Sequence, residues 1–341
     1  MKLTRLSAYL LVLSLLTSCR KPRTVNTAFY YWKTVYDNNA VEQQYMDSLH
    51  CKRMYVRIMD VNNGDTGPVP VSPIRFKSAI PALVQVVPVV FIVNNVLKNQ
   101  TQTQLNQLAS KIAGYVNGKV KQSGKAFYSE LQIDCDWTRS TRSNYFYLLN
   151  CIKSNQALKG KQLSATLRLH QLKNQQSSGI PPVNRVMLMC YNMGNLRKYG
   201  PQNSILDQQE LEKYMGANLS GYSMPVDVGL PLFCWAVVFR QHQYMGIAKR
   251  LNADSLNNKQ LFTAADNHLY TLLKDLPALG LKQGDEVRWE NVPPAQLKST
   301  ARYISKYVAT DTLNLIYFHL DESTLKNYTY ETLEETAYLF R

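Results

Sequence analysis

Apolar and polar side chains alternate through the stretch Glu130-Leu131-Gln132-Ile133-Asp134-Cys135-Asp136-Trp137-Thr138. A period of two is typical of a β-strand whose two faces lie in different environments. The pattern predicts that Leu131, Ile133, Cys135 and Trp137 share one face, and that Gln132, Asp134, Asp136 and Thr138 share the other. Two carboxylates one step apart on a buried face raise each other's pKa, so we expect at least one to be protonated or strongly hydrogen-bonded.

This stretch is the fourth of eight similar runs, each rich in β-branched and aromatic residues. Amphipathic segments with apolar residues three and four apart lie between them; examples are 42–49, 105–120, 143–153 and 206–215. The eight runs cover residues 28–36, 53–61, 86–94, 130–137, 162–170, 185–193, 226–239 and 313–320.

Strands that alternate with helices indicate parallel strands joined by crossover helices, and eight such units predict a single (β/α)8 TIM barrel, here over residues 28–341. An open doubly wound sheet is the alternative, but no glycine-rich phosphate loop follows the first run. The segment 241–312 is much longer than the other crossovers and includes a helix-like stretch, 268–276. We interpret this segment as an elaborated seventh βα unit.

The amino terminus resembles a bacterial lipoprotein signal. Lys2 and Arg5 precede the apolar run 6–16, which has the length of a secretory signal and is too short for a permanent membrane span. Leu16-Thr17-Ser18-Cys19 follows and resembles a lipobox, which predicts a signal peptide over residues 1–18, lipidation of Cys19 and a tether over residues 19–27. An ordinary signal peptide with a chance cysteine is the alternative. Both interpretations predict export, and the first places the protein on the periplasmic side of a bacterial membrane or at the cell surface.

The net charge and composition of the chain limit the kinds of partner that we expect it to bind. The 341 residues carry 39 Lys and Arg against 24 Asp and Glu, a net charge of +15, and 45% are hydrophobic, which excludes a disordered or polytopic membrane chain. An exported protein without a nucleic-acid-binding motif is not expected to bind nucleic acid. The charge suits an acidic glycan or lipid headgroups. Neither a cofactor nor a metal is expected, since no CxxC, His pair or HExxH spacing occurs.

The carboxyl ends of barrel strands converge on one mouth, so residues at the ends of the runs are the site candidates. Asp134 and Asp136 end the fourth run, and Arg168 and His170 end the fifth with the same spacing. Arg168 and His170 would contact an anionic or hydroxyl-rich substrate, or would neutralise the aspartates. A hydrogen-bonding network that only braces the barrel is the alternative role for the aspartates.

Two short motifs resemble those of the family 18 glycoside hydrolases, the chitinases and their relatives. Ile133-Asp134-Cys135-Asp136-Trp137 is similar to the Asp-x-x-Asp-x-Asp-x-Glu run at strand four of that family, and Met189-Cys190-Tyr191-Asn192 to its Met-x-Tyr-Asp at strand six. The resemblance implies a TIM barrel that acts on glycans. It also implies that Asp136 orients the acetamido group of a substrate, with Tyr191 and Asn192 nearby.

The sequence departs from that pattern at the residue that matters most for catalysis. Thr138 stands where the family has its general acid Glu, and a hydroxyl cannot protonate a leaving oxygen near neutral pH. Leu131 replaces the first Asp and Asn192 replaces the Asp of the second motif. Hydrolysis by the family's substrate-assisted route is therefore not expected.

A hydrolase would need another carboxylate at the mouth, and Glu290 and Glu322 are candidates, with Asp60 and Asp321 beside them. Trp32 and Trp235 are the aromatic residues expected to stack on sugar rings there. Two hypotheses remain: a glycosidase that recruits one of these carboxylates, and a catalytically inactive lipoprotein that binds glycan or serves as a scaffold. The oligomeric state is not predictable from these patterns.

Overall fold

The computed structural model describes residues 22–266 and 268–341, and their centre is a closed barrel of eight parallel strands. The barrel strands are β1 (Thr24–Tyr31), β2 (Arg53–Gly64), β3 (Gln85–Ile92), β4 (Glu130–Asp134), β5 (Gln162–Arg168), β6 (Arg185–Met189), β7 (Val226–Pro231) and β8 (Thr312–Phe318). Each strand pairs with the next in chain order, and β1 pairs with both β2 and β8 and so closes the ring. The predicted (β/α)8 TIM barrel is confirmed.

Helices follow most of the barrel strands and pack outside the barrel. They are α1 (Ala40–Ser48), α2 (Gln102–Gln122), α3 (Arg142–Lys153), α4 (Leu169–Lys173), α5 (Gln175–Ser178), α6 (Gln208–Tyr214), α7 (Ala217–Ser220), α8 (Ala253–Leu256), α9 (Pro294–Ser305), α10 (Glu322–Leu325) and α11 (Tyr330–Tyr338). No helix in the described ranges has both the length and the apolar character to cross a bilayer.

The hydrophobic core has an outer and an inner layer. The outer layer lies between the strands and the helices and contains Leu131, Ile133, Cys135 and Trp137, as the period of two predicts. A smaller inner layer inside the barrel includes Tyr30, Tyr55, Val87, Met187 and Ile316. The described apolar residues of both layers lie between residues 25 and 340.

Paired charges fill the amino-terminal end of the barrel interior. Glu130 accepts hydrogen bonds from Arg53 and Ser164, and Asp227 from Arg185 and Asn314. Burial raises the pKa of both carboxyls, and the two arginines oppose that shift. Such a network braces the barrel at the end opposite to the mouth.

The seventh unit carries the expected elaboration, a five-stranded antiparallel sheet between β7 and α9. Its strands are Trp235–Arg240, Gln243–Ile247, Phe262–Asp266, Leu269–Leu272 and Glu286–Glu290. Two expectations are wrong here. The run 226–239 is not one strand but breaks at residues 232–234, and the segment 268–276 is not helical, because Leu269–Leu272 pairs with a strand on each side.

The chain enters the barrel at the amino-terminal ends of the strands, four residues earlier than the predicted start at residue 28. Residues 1–18 and Cys19 lie outside the described residues, so the expected signal peptide and lipidation stay predictions. The Arg23 guanidinium donates to the carbonyls of Val308, Thr310 and Phe340 and fixes the start of β1.

Candidate functional site

A cavity of about 420 Å³ opens at the carboxyl ends of the barrel strands. Every barrel strand except β7 contributes to its wall, either directly or through the residues that follow it. The lining residues are Tyr30, Trp32, Thr34, Arg57, Asp60, Ser72, Phe91, Asp134, Asp136, Arg168, Met189, Tyr191, Asn192 and Phe318. Of the residues predicted for the site, Asp134, Asp136, Arg168, Tyr191, Asn192 and Trp32 meet in this cavity.

Asp134 is the last residue of β4 and lies at the floor of the cavity, 7% exposed. The Thr166 hydroxyl of β5 donates to its Oδ1 over 2.6 Å. Burial raises the pKa of this carboxyl to about 7; the hydrogen bond from Thr166 opposes that shift, and the nearby charge of Asp136 adds to it. The Asp134 carboxyl is thus partly protonated at neutral pH, as the sequence pattern predicts for one member of the pair.

Asp136 follows β4 and is more exposed than Asp134. The Arg168 Nη1 donates to Asp136 Oδ2 over 2.8 Å, and Arg168 Nη2 donates to the carbonyl oxygen of Asn192 over 3.1 Å. One guanidinium therefore joins the segments that follow β4 and β6 across the end of β5. The side chains of Arg168 and Asp136 are 32% and 44% exposed, so solvent and a ligand can reach both.

A second ion pair forms the opposite wall. Arg57 is 5% exposed and donates from Nε to Asp60 Oδ1 over 2.7 Å, and its Nη1 donates to the Ser72 carbonyl over 3.1 Å. The guanidinium carbon lies 5.8 Å from the centre of the Trp32 ring, a cation–π distance. Trp32 is thereby held at the rim with one ring face against a cation.

Aromatic rings make up much of the remaining wall. The Phe318 ring lies 5.5 Å from Tyr30, 5.5 Å from Trp32 and 5.1 Å from Tyr191. Burial raises the pKa of the Tyr191 phenol well above its ordinary value, and the charge of Asp134 adds to this, so the phenol stays a hydrogen-bond donor at any physiological pH. Flat apolar faces beside a few polar groups are typical of sugar-binding clefts.

Asn192 lies between this cavity and a smaller one of about 140 Å³. Its backbone has φ of 55°, and its buried Oδ1 accepts no hydrogen bond from the described residues. His170 lines the smaller cavity. The expectation that His170 shares a strand face with Arg168 is wrong, because β5 ends at Arg168 and His170 lies exposed in α4.

The expectation that Thr138 points into the barrel is also wrong. β4 ends at Asp134, and the chain then turns into α3. Thr138 is exposed, its hydroxyl shares hydrogen bonds with Ser140 and Thr141, and it does not line the cavity. The position that resembles the family's general acid therefore supplies neither an acid nor a contact to the cavity.

Glu290 lies in the inserted sheet and is fully enclosed, 1% exposed. Its carboxylate accepts from Arg288 Nε at 2.6 Å, from the Ser204 amide and hydroxyl at 2.7 and 2.5 Å, and from Trp235 Nε1 at 2.9 Å. These bonds occupy both oxygens. Glu290 and Trp235 do not line the mouth cavity, and their contacts join the inserted sheet to the loop after β6.

Glu322 lies in the first turn of α10 outside the cavity. It accepts from the Asn39 side chain over 3.0 Å and pairs with Lys326, and these contacts lower the pKa of its carboxyl. Asp321 caps the same helix and pairs with Lys33. Of the additional carboxylates considered, Asp60 is the one that the structure brings to the cavity.

Sequence reasoning did not find Arg57, Phe91 or Phe318, which also line the cavity. Phe91 and Phe318 lie at the carboxyl ends of β3 and β8, so a search of all strand ends rather than of acidic motifs would have included both. Arg57 lies further inside β2, and its pairing with Asp60 three residues later is the available signal.

Chains of the same fold include several glycan-degrading enzymes. The spore cortex-lytic enzyme SleL of Bacillus cereus superposes with a TM-score of 0.55 at 11% identity, covering 94% of this chain and 76% of that chain. A chitinase of Chromobacterium violaceum superposes with a TM-score of 0.52 at 12% identity, covering 91% of this chain and 98% of that chain. The Group IV chitinase of Ostrinia furnacalis superposes with a TM-score of 0.53 at 9% identity, covering 94% of this chain and 100% of that chain. These likenesses show the fold, a (β/α)8 barrel that this chain shares with these enzymes. No protein-family model and no curated protein matches the sequence.

Proposed function

We propose that this protein binds a glycan in the mouth cavity and does not cleave it by the substrate-assisted route of the chitinases. One observation carries the proposal: Asp134, Asp136 and Tyr191 line a cavity with aromatic walls, whereas Thr138 lies outside it. The arrangement retains groups that hold a sugar and lacks the group that protonates a leaving oxygen. The chitinase-like barrel makes β-linked amino-sugar glycans the first class to test.

The polar groups of the cavity suit an amino sugar. The Asp136 carboxylate and the Tyr191 phenol offer an acceptor and a donor, which is what an acetamido N–H and carbonyl require. The Asn192 Oδ1, which accepts no hydrogen bond within residues 22–266 and 268–341, offers a second acceptor. Trp32 and Phe318 supply apolar faces for the C–H side of a pyranose ring.

Calorimetry with chitin oligosaccharides and peptidoglycan fragments tests the proposal, together with mass spectrometry of the same mixtures. We expect saturable binding to one of these classes and no new reducing ends. Asp136→Asn should weaken binding at least tenfold, and Glu322→Gln, an exchange outside the cavity, should leave the affinity unchanged. Equal affinity of Asp136→Asn and the unsubstituted protein for every bound glycan would overturn the assignment of the site.

Hydrolysis by a different route is the second candidate, and the pKa of Asp134 favours it. A carboxyl with a pKa of about 7 has the range of a general acid, and Asp60 and Asp136 line the same cavity. Release of reducing ends that is lost in Asp134→Asn but kept in Glu322→Gln would establish this candidate in place of the first.

We also propose that the protein is exported and anchored to a bacterial membrane by a lipid on Cys19. Leu16-Thr17-Ser18-Cys19 behind a short apolar run supports this. Expression in a bacterium with radiolabelled palmitate should label the unsubstituted chain, and Cys19→Ala should remain unlabelled and be released or retained in unprocessed form. Labelling of Cys19→Ala to the same extent would contradict the anchor.

A further inference from the structure

We propose that the amino-terminal face of the barrel, opposite to the mouth, is a docking surface for an anionic lipid bilayer. The centre of this surface consists of three neighbouring loops that lead into β3, β4 and β5, residues 79–84, 123–129 and 154–161. This surface is called the basal face below. The proposal does not depend on glycan binding or on lipidation of Cys19.

Large apolar side chains protrude from the basal face. Leu83 is 90% exposed and Phe127 is 64% exposed, and they lie on adjacent loops because β3 and β4 pair side by side. Apolar side chains that project from adjacent loops can be buried together in the acyl–headgroup boundary of a bilayer, which stabilises the bound state.

The three loops of the basal face carry lysines and no acidic residue. Residues 79–84, 123–129 and 154–161 contain Lys125, Lys159 and Lys161 and no Asp or Glu. The Lys161 ammonium lies 5.6 Å from the Phe127 ring centre and 4.8 Å from that of Tyr128. Lysines beside exposed apolar side chains are the combination that anionic headgroups attract.

Specific hydrogen bonds hold the loops in place. Lys125 Nζ donates to the carbonyls of Pro81 and Ala82 over 2.6 and 3.0 Å, and the Ile80 amide donates to Ser123 over 3.0 Å. Leu83 and Phe127 therefore project from a fixed base. Because these side chains protrude rather than line a groove, the basal face suits a fluid planar surface better than a shaped protein partner.

The start of the described chain lies on the same side of the barrel. β1 begins at Thr24, and Arg23 contacts carbonyls of Val308 and Phe340 at the amino-terminal end of the barrel. The four residue steps from Cys19 to Arg23 span at most about 14 Å. A lipid on Cys19 would therefore bring the basal face to the bilayer and hold the mouth away from it.

Flotation of the chain of residues 22–341 with vesicles tests the basal face without the anchor, since this chain contains all eight barrel strands and the core residues described above. We expect binding to vesicles of phosphatidylcholine with 30% phosphatidylglycerol, on the order of tenfold stronger than to pure phosphatidylcholine, and weakened by 0.5 M salt. Leu83→Ser combined with Phe127→Ser should lower the bound fraction at least tenfold. The matched control is Met245→Ser combined with Leu273→Ser, which removes two exposed apolar side chains of the inserted segment. This control should leave the vesicle-bound fraction unchanged.

Hydrogen exchange on the same vesicles locates the contact. We expect slower exchange in residues 79–84 and 123–129. Exchange should be unchanged in residues 61–71, where the carboxyl end of β2 forms an antiparallel hairpin with the strand Gly67–Val71. The proposal would be overturned if both double variants lost vesicle binding equally, or if Leu83→Ser combined with Phe127→Ser left binding unchanged. Slower exchange in residues 61–71 instead of the basal loops would also overturn it. Sedimentation velocity measures whether the protein self-associates in the absence of vesicles. If it does, and if Phe127→Ser abolishes the self-association, the basal face binds a second copy of the chain rather than a bilayer.

Discussion

Arg168 donates one hydrogen bond to Asp136 and another to the carbonyl of Asn192, and so couples the segments that follow β4 and β6. The first bond sets the orientation of the Asp136 carboxylate, and the second fixes a residue with positive φ. Asp136 and Asn192 belong to the two motifs that resemble the family 18 glycoside hydrolases. Their relative position at the mouth depends on a side chain from the strand between them.

Replacing Arg168 should therefore affect glycan binding more than stability. We expect Arg168→Gln to weaken binding about tenfold, which is about 1.4 kcal/mol, because Asp136 loses its orienting partner. The free energy of unfolding should fall by less than about 1 kcal/mol, since the ion pair is partly exposed. Calorimetry and urea denaturation measure the two effects. A loss of stability without a change in affinity would show that the pair only braces the barrel.

Asp134 should make stability depend on pH. Its pKa is raised to about 7 in the folded protein from an ordinary value of 3.8, so the folded state holds this proton more tightly than the unfolded state. The stabilisation is complete below pH 4 and is lost as the pH rises to 7, with an amplitude of roughly 4 kcal/mol.

Asp134→Asn keeps an acceptor for Thr166 and has no proton to lose, so its stability should vary less over this window. Urea denaturation of both proteins at pH 4.5, 6 and 7.5 measures the difference. Parallel pH profiles would show that Asp134 titrates normally. Glu130 and Asp227 also have raised pKa values, but both are present in the variant, so their contributions to the pH dependence cancel in the difference between the two proteins.

Trp32 should contribute stacking to glycan binding. Trp32→Ala removes a ring that lies against Arg57 and Phe318 at the rim, and we expect a loss of affinity of about 1 to 2 kcal/mol. Trp32→Phe should retain part of the affinity that Trp32→Ala loses. Trp289→Ala, on the inserted sheet and outside the cavity, serves as the control in the same titration. A larger loss for Trp289→Ala than for Trp32→Ala would move the binding site to the inserted sheet.

Glu290 should matter for folding. Glu290→Ala leaves the fully enclosed Arg288 without its carboxylate partner, and breaking such a pair costs about 3 kcal/mol or more. Glu322→Ala, whose contacts lie near the surface, should destabilise the fold much less than Glu290→Ala. Thermal unfolding followed by circular dichroism compares the two. Similar melting temperatures would mean that the Glu290 contacts contribute little.

The sequence predicted the barrel well because eight runs of period two, separated by helical spacing, leave few alternative topologies. The faces of β4 followed from the same period. Predictions failed where a strand ended earlier than its pattern: Thr138 and His170 lie beyond the last strand residues, so alternation no longer describes their direction. Glu290 could not be placed from sequence, because its partner Ser204 lies 86 residues away and belongs to another loop.

The contacts of Glu290 and Arg288 have a mechanical consequence. Arg288 also donates to the carbonyls of Leu196, Lys198 and Gly200. Several hydrogen bonds therefore connect the loop after β6 to the inserted sheet. Any opening or narrowing of the cleft on that side must displace both parts as one rigid body. A pair of structures with and without a long saccharide should therefore show residues 196–204 and 286–290 shifting by the same vector.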